Sequence, residues 1–415
     1  MAHNANDAPP DPTSSIVQLL QNLSLSPPSR DVFATQIISN YILYDLIFAG
    51  SSPGSILRVA RTCHAAHLAM RDYFSRTFNI NKHLSRFFDD PLAFRSLQAR
   101  TSSLISGSSA LQFLDRTEYA DSDLDLYTAS IHRQEIGRWL LAHGYRFTPN
   151  SVQDPDFEVA SDEDHLLVFG DPDNNYRMKG ITAVFTFHKP CPVRPGEERQ
   201  VQVIVATRSP MEVVLRFHST VVVNVISWDR AYSLYPRATF EHRKSVVLRR
   251  QNRQLMYSII EKYGNRGFEF RYTIHDNDIV SDPAFTSAQR WIGDGHSWVL
   301  ELSTEGITLP PPITELSKPL TRDPCFLTTW RTVRRNWKVR MDFQSTGRVD
   351  GFYYEYVFLE EDYQVFELFR RVYSMWMGDY ALTENPDSFF AYYDQDLIEA
   401  CEEELERGGA WQNWR

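Results

Sequence analysis

Apolar positions recur at helical spacing in the part of the chain that follows a polar leader. Residues 1–30 are rich in Pro, Ser and Asn, a composition that buries too little apolar surface to form a core. Within 31–100, apolar residues lie three or four positions apart over 37–47, and the pattern resumes over 56–73 after the turn at 51–54. We therefore predict a disordered leader over 1–30 and a compact helical module over 31–100.

Helical and strand patterns alternate over residues 101–270. Alternation with period two predicts strands, and apolar spacing of three or four predicts helices. The predicted strands are 123–127, 181–188 and 200–206, and the predicted helices are 110–115, 131–143, 221–235 and 240–263. The last two strands are joined by a segment with two prolines and a glycine, so we expect them to pair as a hairpin. This alternation predicts a mixed-sheet domain.

The remaining region, 280–415, is rich in aromatic residues and contains no motif that we assign to a family. We predict strands at 298–302 and 352–358, and helices at 364–377 and 397–407. The whole chain is therefore expected to be α+β, with an N-terminal helical module, a mixed-sheet domain, and a C-terminal α/β region of unknown type.

Four basic residues in this region fall at positions that would share one face of a helix. They are Arg331, Arg334, Arg335 and Lys338, with two tryptophans among them. Such a stripe fits the stacking of nucleic-acid bases. It also fits a solvated helical face, which we favour because the chain as a whole is acidic.

Charge and cysteine content narrow the classes of partner. The 53 acidic residues outnumber the 43 Lys and Arg, so the net charge is -10 and the overall field opposes binding to nucleic acid or to an anionic membrane. The four scattered cysteines show neither zinc-site spacing nor a disulfide framework. Neither a signal peptide nor a run of eighteen apolar residues occurs. We expect an intracellular protein, cytoplasmic or nuclear, with no membrane or nucleic-acid partner.

One short stretch carries recognisable chemistry. Gly107 and Ser108 follow an apolar segment and open a predicted helix, where backbone N–H groups can bind an anion. Asp123 and Asp125 lie two positions apart on the next predicted strand, so both carboxylates project from the same face and can share cations. Phosphate groups and Mg²⁺ are the expected ligands of such a pair of features.

This stretch resembles the signature of the polymerase-β-like nucleotidyltransferase superfamily. The resemblance implies a nucleotidyltransferase-like domain over 101–270 that binds a nucleoside triphosphate. Gly107, Ser108 and Ser109 would hold the phosphates, and Asp123 and Asp125 would be the catalytic residues that bind Mg²⁺. The connection between the two halves of the motif is a few residues longer than in the minimal members of the superfamily.

The third metal-binding acid of that superfamily has no counterpart in this sequence. Two-metal transfer needs it on a neighbouring strand, because the metal that activates the attacking hydroxyl must be held apart from the metal on the triphosphate. Gln202 stands at the matching position, between Val201 and Val203. An amide is a neutral, weak Mg²⁺ ligand and cannot act as a base. Glu198 or Asp121 would replace it only in a different strand register.

The helical module over 31–100 resembles the F-box, which docks on the Skp1-type adaptor of ubiquitin ligases. The similarity lies in a proline-bearing turn followed by the helical segment 55–66. The usual Leu-Pro opening is missing near Asn40, and Ala or His replaces the usual Trp after Cys63. The whole layout resembles fungal proteins in which a degenerate F-box-like segment precedes a nucleotidyltransferase-like domain.

Three functions are compatible with these patterns. The first is a degenerate nucleotidyltransferase-fold protein, fused to an F-box-like module, that binds a nucleotide or a partner. The second is an active Mg²⁺-dependent nucleotidyltransferase in which another acid replaces Gln202. The third is a substrate adaptor of a ubiquitin ligase, with a Skp1-type adaptor as its partner.

Overall fold

The structure is a computed structural model, and it describes most of the chain up to residue 309. The described residues are 33–119, 122–162, 180–191, 196–207, 209–249, 253–272, 283–285, 290–309, 325, 328–335, 338–342, 344–345 and 357–358. Within these ranges the protein is a mixed α+β structure, as the sequence predicts.

Ten α-helices are described. They are α1 (Tyr41–Ala49), α2 (Pro53–Ala60), α3 (His64–Thr77), α4 (Ile80–Leu84), α5 (Pro91–Thr101), α6 (Gly107–Asp115), α7 (Arg133–Ala142), α8 (Phe157–Ala160), α9 (Pro210–Leu215) and α10 (Arg253–Gly264). Single turns of 3₁₀ or π helix run over Phe33–Ile37, Ser130–His132, Thr220–Val222, Arg237–Glu241 and Pro283–Phe285. None of the described helices is long and apolar enough to cross a membrane.

Fifteen strands are described, eight of them in one mixed sheet. They are β1 (Leu104–Ser106), β2 (Leu124–Ala129), β3 (Arg146–Thr148), β4 (Ile181–Pro190), β5 (Glu198–Ala206), β6 (Asn224–Ile226), β7 (Arg230–Ser233), β8 (Lys244–Val246), β9 (Glu269–Arg271), β10 (Arg290–Trp291), β11 (Trp298–Glu301), β12 (Thr329–Arg335), β13 (Lys338–Asp342), β14 (Gln344–Ser345) and β15 (Val357–Phe358). The large sheet has the order β11-β7-β6-β1-β2-β5-β4-β3.

The chain contacts divide the molecule into two compact units, Met1–Arg76 and Thr77–Arg415. In the first unit, α1 begins after Asn40, whose side chain accepts a hydrogen bond from the backbone of Ile42, and this capping satisfies an orphan donor. The rings of Phe48 and Tyr73 are buried edge to face, 5.4 Å apart. The predicted helices of this segment are confirmed, although α4 and α5 belong to the second unit.

The large sheet of the second unit has an apolar face and a polar face, because strand side chains alternate. Alternate residues of β5, Val201, Val203 and Val205, are fully buried. Phe185 and Phe187 of β4 pair in register with Val203 and Val201, and both rings contact Phe157 of α8. The predicted strands 123–127, 181–188 and 200–206, their hairpin, and the helices 110–115 and 131–143 are all confirmed to within a few residues.

The predicted helix over 221–235 is wrong. The segment folds instead as a 3₁₀ turn followed by the hairpin of β6 and β7, in which Asn224 pairs with Ser233 and Ile226 with Ala231. Its run of β-branched residues favours a strand, because branching at Cβ restricts side-chain rotamers in a helix. Within 240–263 only the last part is α-helical, as α10, and residues 244–246 form strand β8.

The predicted helix that carries Arg331, Arg334, Arg335 and Lys338 is also wrong. These residues lie on the hairpin of β12 and β13, in which Arg335 pairs with Lys338 and Arg331 with Asp342. The β-branched residues Thr332 and Val333 between the arginines favour a strand. No helical face carries these four residues, because the described segment is a hairpin of two strands.

Some predictions fall wholly or largely outside the described residues. They include the leader over 1–30 and the helices 364–377 and 397–407. Of the predicted strand 352–358, only Val357–Phe358 is described, and it is strand β15. The strand predicted at 298–302 is confirmed as β11.

Gly137 of α7 tests how tightly the apolar face is packed. A Cβ atom at this position would lie 2.0 Å from Cζ of Phe157, so Gly137→Ala should lower the free energy of unfolding by about 1–3 kcal/mol through overpacking. Urea denaturation of both proteins gives the difference. Gly264→Ala is the control, because no atom lies within 4 Å of the added methyl group. Equal stability of Gly137→Ala and wild type would contradict this packing.

Candidate functional site

The polar face of the sheet brings the predicted acidic strand beside Gln202. β1 pairs antiparallel with β2 and places Ser106 opposite Asp125. β2 pairs parallel with β5 and places Asp125 in register with Gln202, and β4 continues the row with Thr186. Residues paired in register on neighbouring strands point to the same face. Ser106, Asp125, Gln202 and Thr186 therefore form one row across four strands.

Gly107 allows helix α6 to start directly against this row. Its φ of +67° lies in the left-handed region, where residues with a side chain are strained. A Cβ atom at Gly107 would lie 2.7 Å from Oδ2 of Asp125, so the backbone can approach the carboxylate only because no side chain is present. Ser106, at the N-cap of α6, makes no side-chain capping bond.

Asp125 is a carboxyl group with a strongly perturbed acidity. Burial, and then repulsion from the neighbouring Asp123, raise the pKa of Asp125 to about 7, against the opposing field of the Lys262 ammonium group. Asp123 itself is exposed at the start of β2, and Lys262 is exposed on α10. Below about pH 7 the apo protein therefore holds Asp125 mainly in its protonated form.

Gln112 fixes the loop that leads into β2. This buried side chain donates from Nε2 to the backbone oxygen of Ser108, 3.1 Å away, and to the hydroxyl of Ser122. Its Oε1 accepts a hydrogen bond from the backbone of Tyr119 at 2.9 Å. Ser108 and Ser122 also approach each other, with 3.3 Å between their hydroxyl oxygens. One amide thus ties the first turn of α6 to the residue before Asp123.

The three predicted phosphate-binding residues lie in different environments. Gly107 and Ser108 start α6 beside the carboxylate row, and Ser108 is half-buried. Ser109 is fully buried, and its hydroxyl oxygen lies 3.0 Å from Nε2 of His83. Burial, and then the Arg86 guanidinium, lower the pKa of His83 to about 3, so its ring is neutral at pH 7. The hydroxyl of Ser109 is therefore already engaged within the protein.

A second polar row, formed by Gln200 and His188, lies next to the first on the same face, and it is hydrogen-bonded to Thr148, which pairs in register with Thr186 at the end of the first row. His188 of β4 accepts or donates through both ring nitrogens, with Nδ1 2.9 Å from the Thr148 hydroxyl and Nε2 3.0 Å from Oε1 of Gln200. All three side chains are half-buried. The hydrogen-bonding groups of this row satisfy one another.

The fit of the face to Mg²⁺ is incomplete. Asp123 and Asp125 supply the oxygen ligands that Mg²⁺ prefers, but the group in register beside them is the amide of Gln202. Glu198 lies four residues before Gln202, at the start of β5, and pairs with Arg146 at 3.0 Å. Asp121 lies outside the described residues. Among those that are described, no group of three or more His, Cys, Asp or Glu could hold a metal ion.

Comparisons with known proteins identify no relative. No protein-family model, no curated protein and no solved structure matches this chain.

Several residues on or near this face were not predicted from the sequence. Lys262 acts electrostatically on Asp125 from a helix more than one hundred residues away, an interaction that no local pattern reveals. Gln112 lies four residues after Ser108, the spacing at which helical side chains meet the preceding turn. That spacing was the available signal for Gln112. His188 and Thr186 occupy alternating polar positions of a predicted strand, and this alternation could have marked the open face.

The raised pKa of Asp125 predicts a pH-dependent penalty on folding. The unfolded carboxyl has a pKa of about 4, so the folded protein binds the proton more tightly and loses stability as the pH rises from about 4 to about 7. Asp125→Asn removes this loss. Relative to wild type, the variant should gain roughly 2–3 kcal/mol between pH 5 and pH 8, since about two pKa units of the shift fall in this interval and one unit corresponds to about 1.4 kcal/mol.

Urea denaturation at both pH values measures this gain. Glu305→Gln, which removes an exposed carboxylate of the same unit, is the control and should differ from wild type equally at both. A gain for Asp125→Asn that does not grow with pH would show that Asp125 ionises normally.

Proposed function

We propose that this chain is a degenerate nucleotidyltransferase-fold protein, fused to an F-box-like module, that binds a nucleotide or a partner through the polar face of its sheet. The observation that carries the proposal is the register of β2 and β5, which sets Gln202 directly beside Asp125. In an active two-metal site this position holds an acid. The proposal assigns the protein a binding role in place of nucleotidyl transfer.

The chemistry of the row favours binding over catalysis. A second metal needs another anionic oxygen to stay close to the first despite the repulsion between two divalent ions. The Gln202 amide carries no charge, and it can neither take a proton from an attacking hydroxyl nor balance that repulsion. Asp125, whose pKa is raised to about 7, is less fully ionised at neutral pH than an ordinary aspartate.

Three features support the nucleotidyltransferase-like assignment. A short strand, β1, leads through Gly107 into helix α6. The acidic strand β2 runs antiparallel to β1 and parallel to β5. The first turn of α6 has no side-chain cap from Ser106, so its N–H groups suit a phosphate ligand. Mg²⁺, when bound, would supply positive charge between Asp123, Asp125 and such phosphates.

The N-terminal module offers a separate surface for a partner. Helix α1 buries Tyr44 and Phe48 but exposes Tyr41, Ile42 and Leu46, with exposed fractions of 64, 54 and 69%. Exposed apolar side chains grouped on one helix are typical of protein interaction surfaces. This observation favours the adaptor function as the second candidate, with the module as the docking element.

The missing F-box positions predict weak docking on a Skp1-type adaptor. A few apolar anchors carry most of the energy of an interface, and the Leu-Pro and Trp anchors are absent here. The full chain should therefore bind the adaptor with a dissociation constant above 1 μM, roughly -8 kcal/mol, in a calorimetric titration. A submicromolar constant that is lost in Leu46→Asp would favour the adaptor function.

Gln202→Asp tests the role of the row. The change replaces a neutral ligand by a charged one beside Asp125, so Mg²⁺ or Mn²⁺ should bind about tenfold tighter than to wild type. The affinity for a nucleoside triphosphate in the presence of the metal should rise as well. Isothermal titration calorimetry on both proteins measures these affinities.

Gln254→Asp is the matched control for this experiment. It introduces the same charge at an exposed position of α10 and should leave metal binding at the level of wild type. Equal metal binding by Gln202→Asp and wild type would mean that Gln202 does not lie at the metal position. An increase in metal affinity of equal size in both variants would show that the effect comes from the added net charge and not from the position of Gln202.

A further inference from the structure

The row that contains Gln202 differs from its neighbour in how its hydrogen-bonding groups are used. Thr148, His188 and Gln200 satisfy one another. Within the described part of the chain, no side-chain hydrogen bond joins Asp125, Gln202 or Thr186 to the rest of the protein. All three side chains are half-buried, so they are accessible from one side. The hydrogen-bonding groups of this row are therefore available to a ligand.

The geometry of the row sets the size of a ligand that could use it. Neighbouring strands lie about 4.8 Å apart, so carboxylate, amide and hydroxyl groups follow one another at that interval along the row. Each of the three side chains offers an oxygen that can accept a hydrogen bond. A primary ammonium group has three donors, and a guanidinium group has five in a flat fork. Either group can engage two or three neighbouring acceptors of the row.

The charge of the row favours a monovalent cation. Asp125 supplies one carboxylate, Asp123 a second at the exposed start of β2, and Gln202 and Thr186 are neutral. A divalent metal ion prefers several charged oxygens, whereas hydrogen bonds from a nitrogen cation to amide and hydroxyl oxygens need no further charge.

We propose that the row of Asp125, Gln202 and Thr186 binds an organic nitrogen cation, an ammonium or guanidinium group, in place of a second metal ion. The inference rests on the proposed function and specifies its binding role. The carboxylate of Asp125 pairs with the cation, the Gln202 amide oxygen accepts one of its N–H groups, and the Thr186 hydroxyl accepts another. The cation belongs to a free polyamine or to a basic side chain of a partner.

Calorimetry on the full chain with spermidine as the probe tests this inference. Wild type should bind spermidine more tightly than it binds Mg²⁺. Asp125→Asn should weaken spermidine binding about tenfold and Thr186→Val about threefold, since an ion pair between a carboxylate and a nitrogen cation contributes more than a hydrogen bond from that cation to a neutral hydroxyl. Gln202→Leu should also weaken it, through loss of the central acceptor. Lys262→Gln should tighten it, because that change removes a repelling charge.

Matched controls separate this row from the acidic surface as a whole. Glu305→Gln removes an exposed carboxylate, and Gln254→Leu removes an exposed amide, so both should bind spermidine as wild type does. A second titration with an arginine-containing peptide distinguishes a partner's side chain from a free polyamine. Circular dichroism and thermal melting confirm that each variant is folded.

Two results would overturn the inference. One is equal spermidine binding by wild type, Asp125→Asn, Gln202→Leu and Thr186→Val, which would assign binding to the general acidic surface. The other is tighter binding of Mg²⁺ than of spermidine by wild type. Turnover of a nucleoside triphosphate by wild type would instead contradict the proposed function, and the spermidine titrations report on the row independently of it.

Discussion

The parallel pairing of β2 with β5 is the constraint on which the rest of this face depends. The other neighbours in the eight-stranded sheet, as far as the structure describes it, are antiparallel. A parallel pair requires a long crossover, and the chain between β2 and β5 supplies it with α7, α8 and two further strands. A slip of one residue would turn Asp125 into the core and expose Leu124 and Leu126, whose burial therefore fixes the register. The register of β2 and β5 therefore determines both the packing of the core and the composition of the polar row.

The start of α6 depends on the same pairing. Asp125 can lie against the backbone of Gly107 because that residue has no side chain and adopts a positive φ. Gln112, one turn into the helix, then holds the loop that returns the chain to β2. The Asp125 carboxylate therefore lies between the start of α6 and the Gln202 amide. This position shields it partly from water, and the shielding raises its pKa. Burial of Asp125 thus lowers the free energy of unfolding at neutral pH, while the surrounding contacts fix the arrangement of the polar groups.

The sequence predicted those parts of the fold that local periodicity controls. The hairpin of β4 and β5 was predicted because apolar and polar residues alternate over the middle of both strands. The hairpin of β6 and β7 was mistaken for a helix because apolar residues that serve two short strands also fall at helical spacing. The field of Lys262 at Asp125 and the hydrogen bond between Ser109 and His83 could not be predicted, since both depend on interactions between segments that are distant in sequence. Long-range packing, which sets these contacts, leaves no periodic signal.

We propose that this polar face binds a ligand and does not carry out nucleotidyl transfer. Release of pyrophosphate is the most direct measurement, with the unmodified full chain incubated with each of the four nucleoside triphosphates, Mg²⁺ or Mn²⁺, and a mixture of hydroxyl-bearing acceptors. Asp125→Asn run in parallel identifies release by any contaminating enzyme. We expect no release by wild type above that of the variant. Sustained release by wild type that is lost in Asp125→Asn would contradict it and show that the site is catalytic despite Gln202.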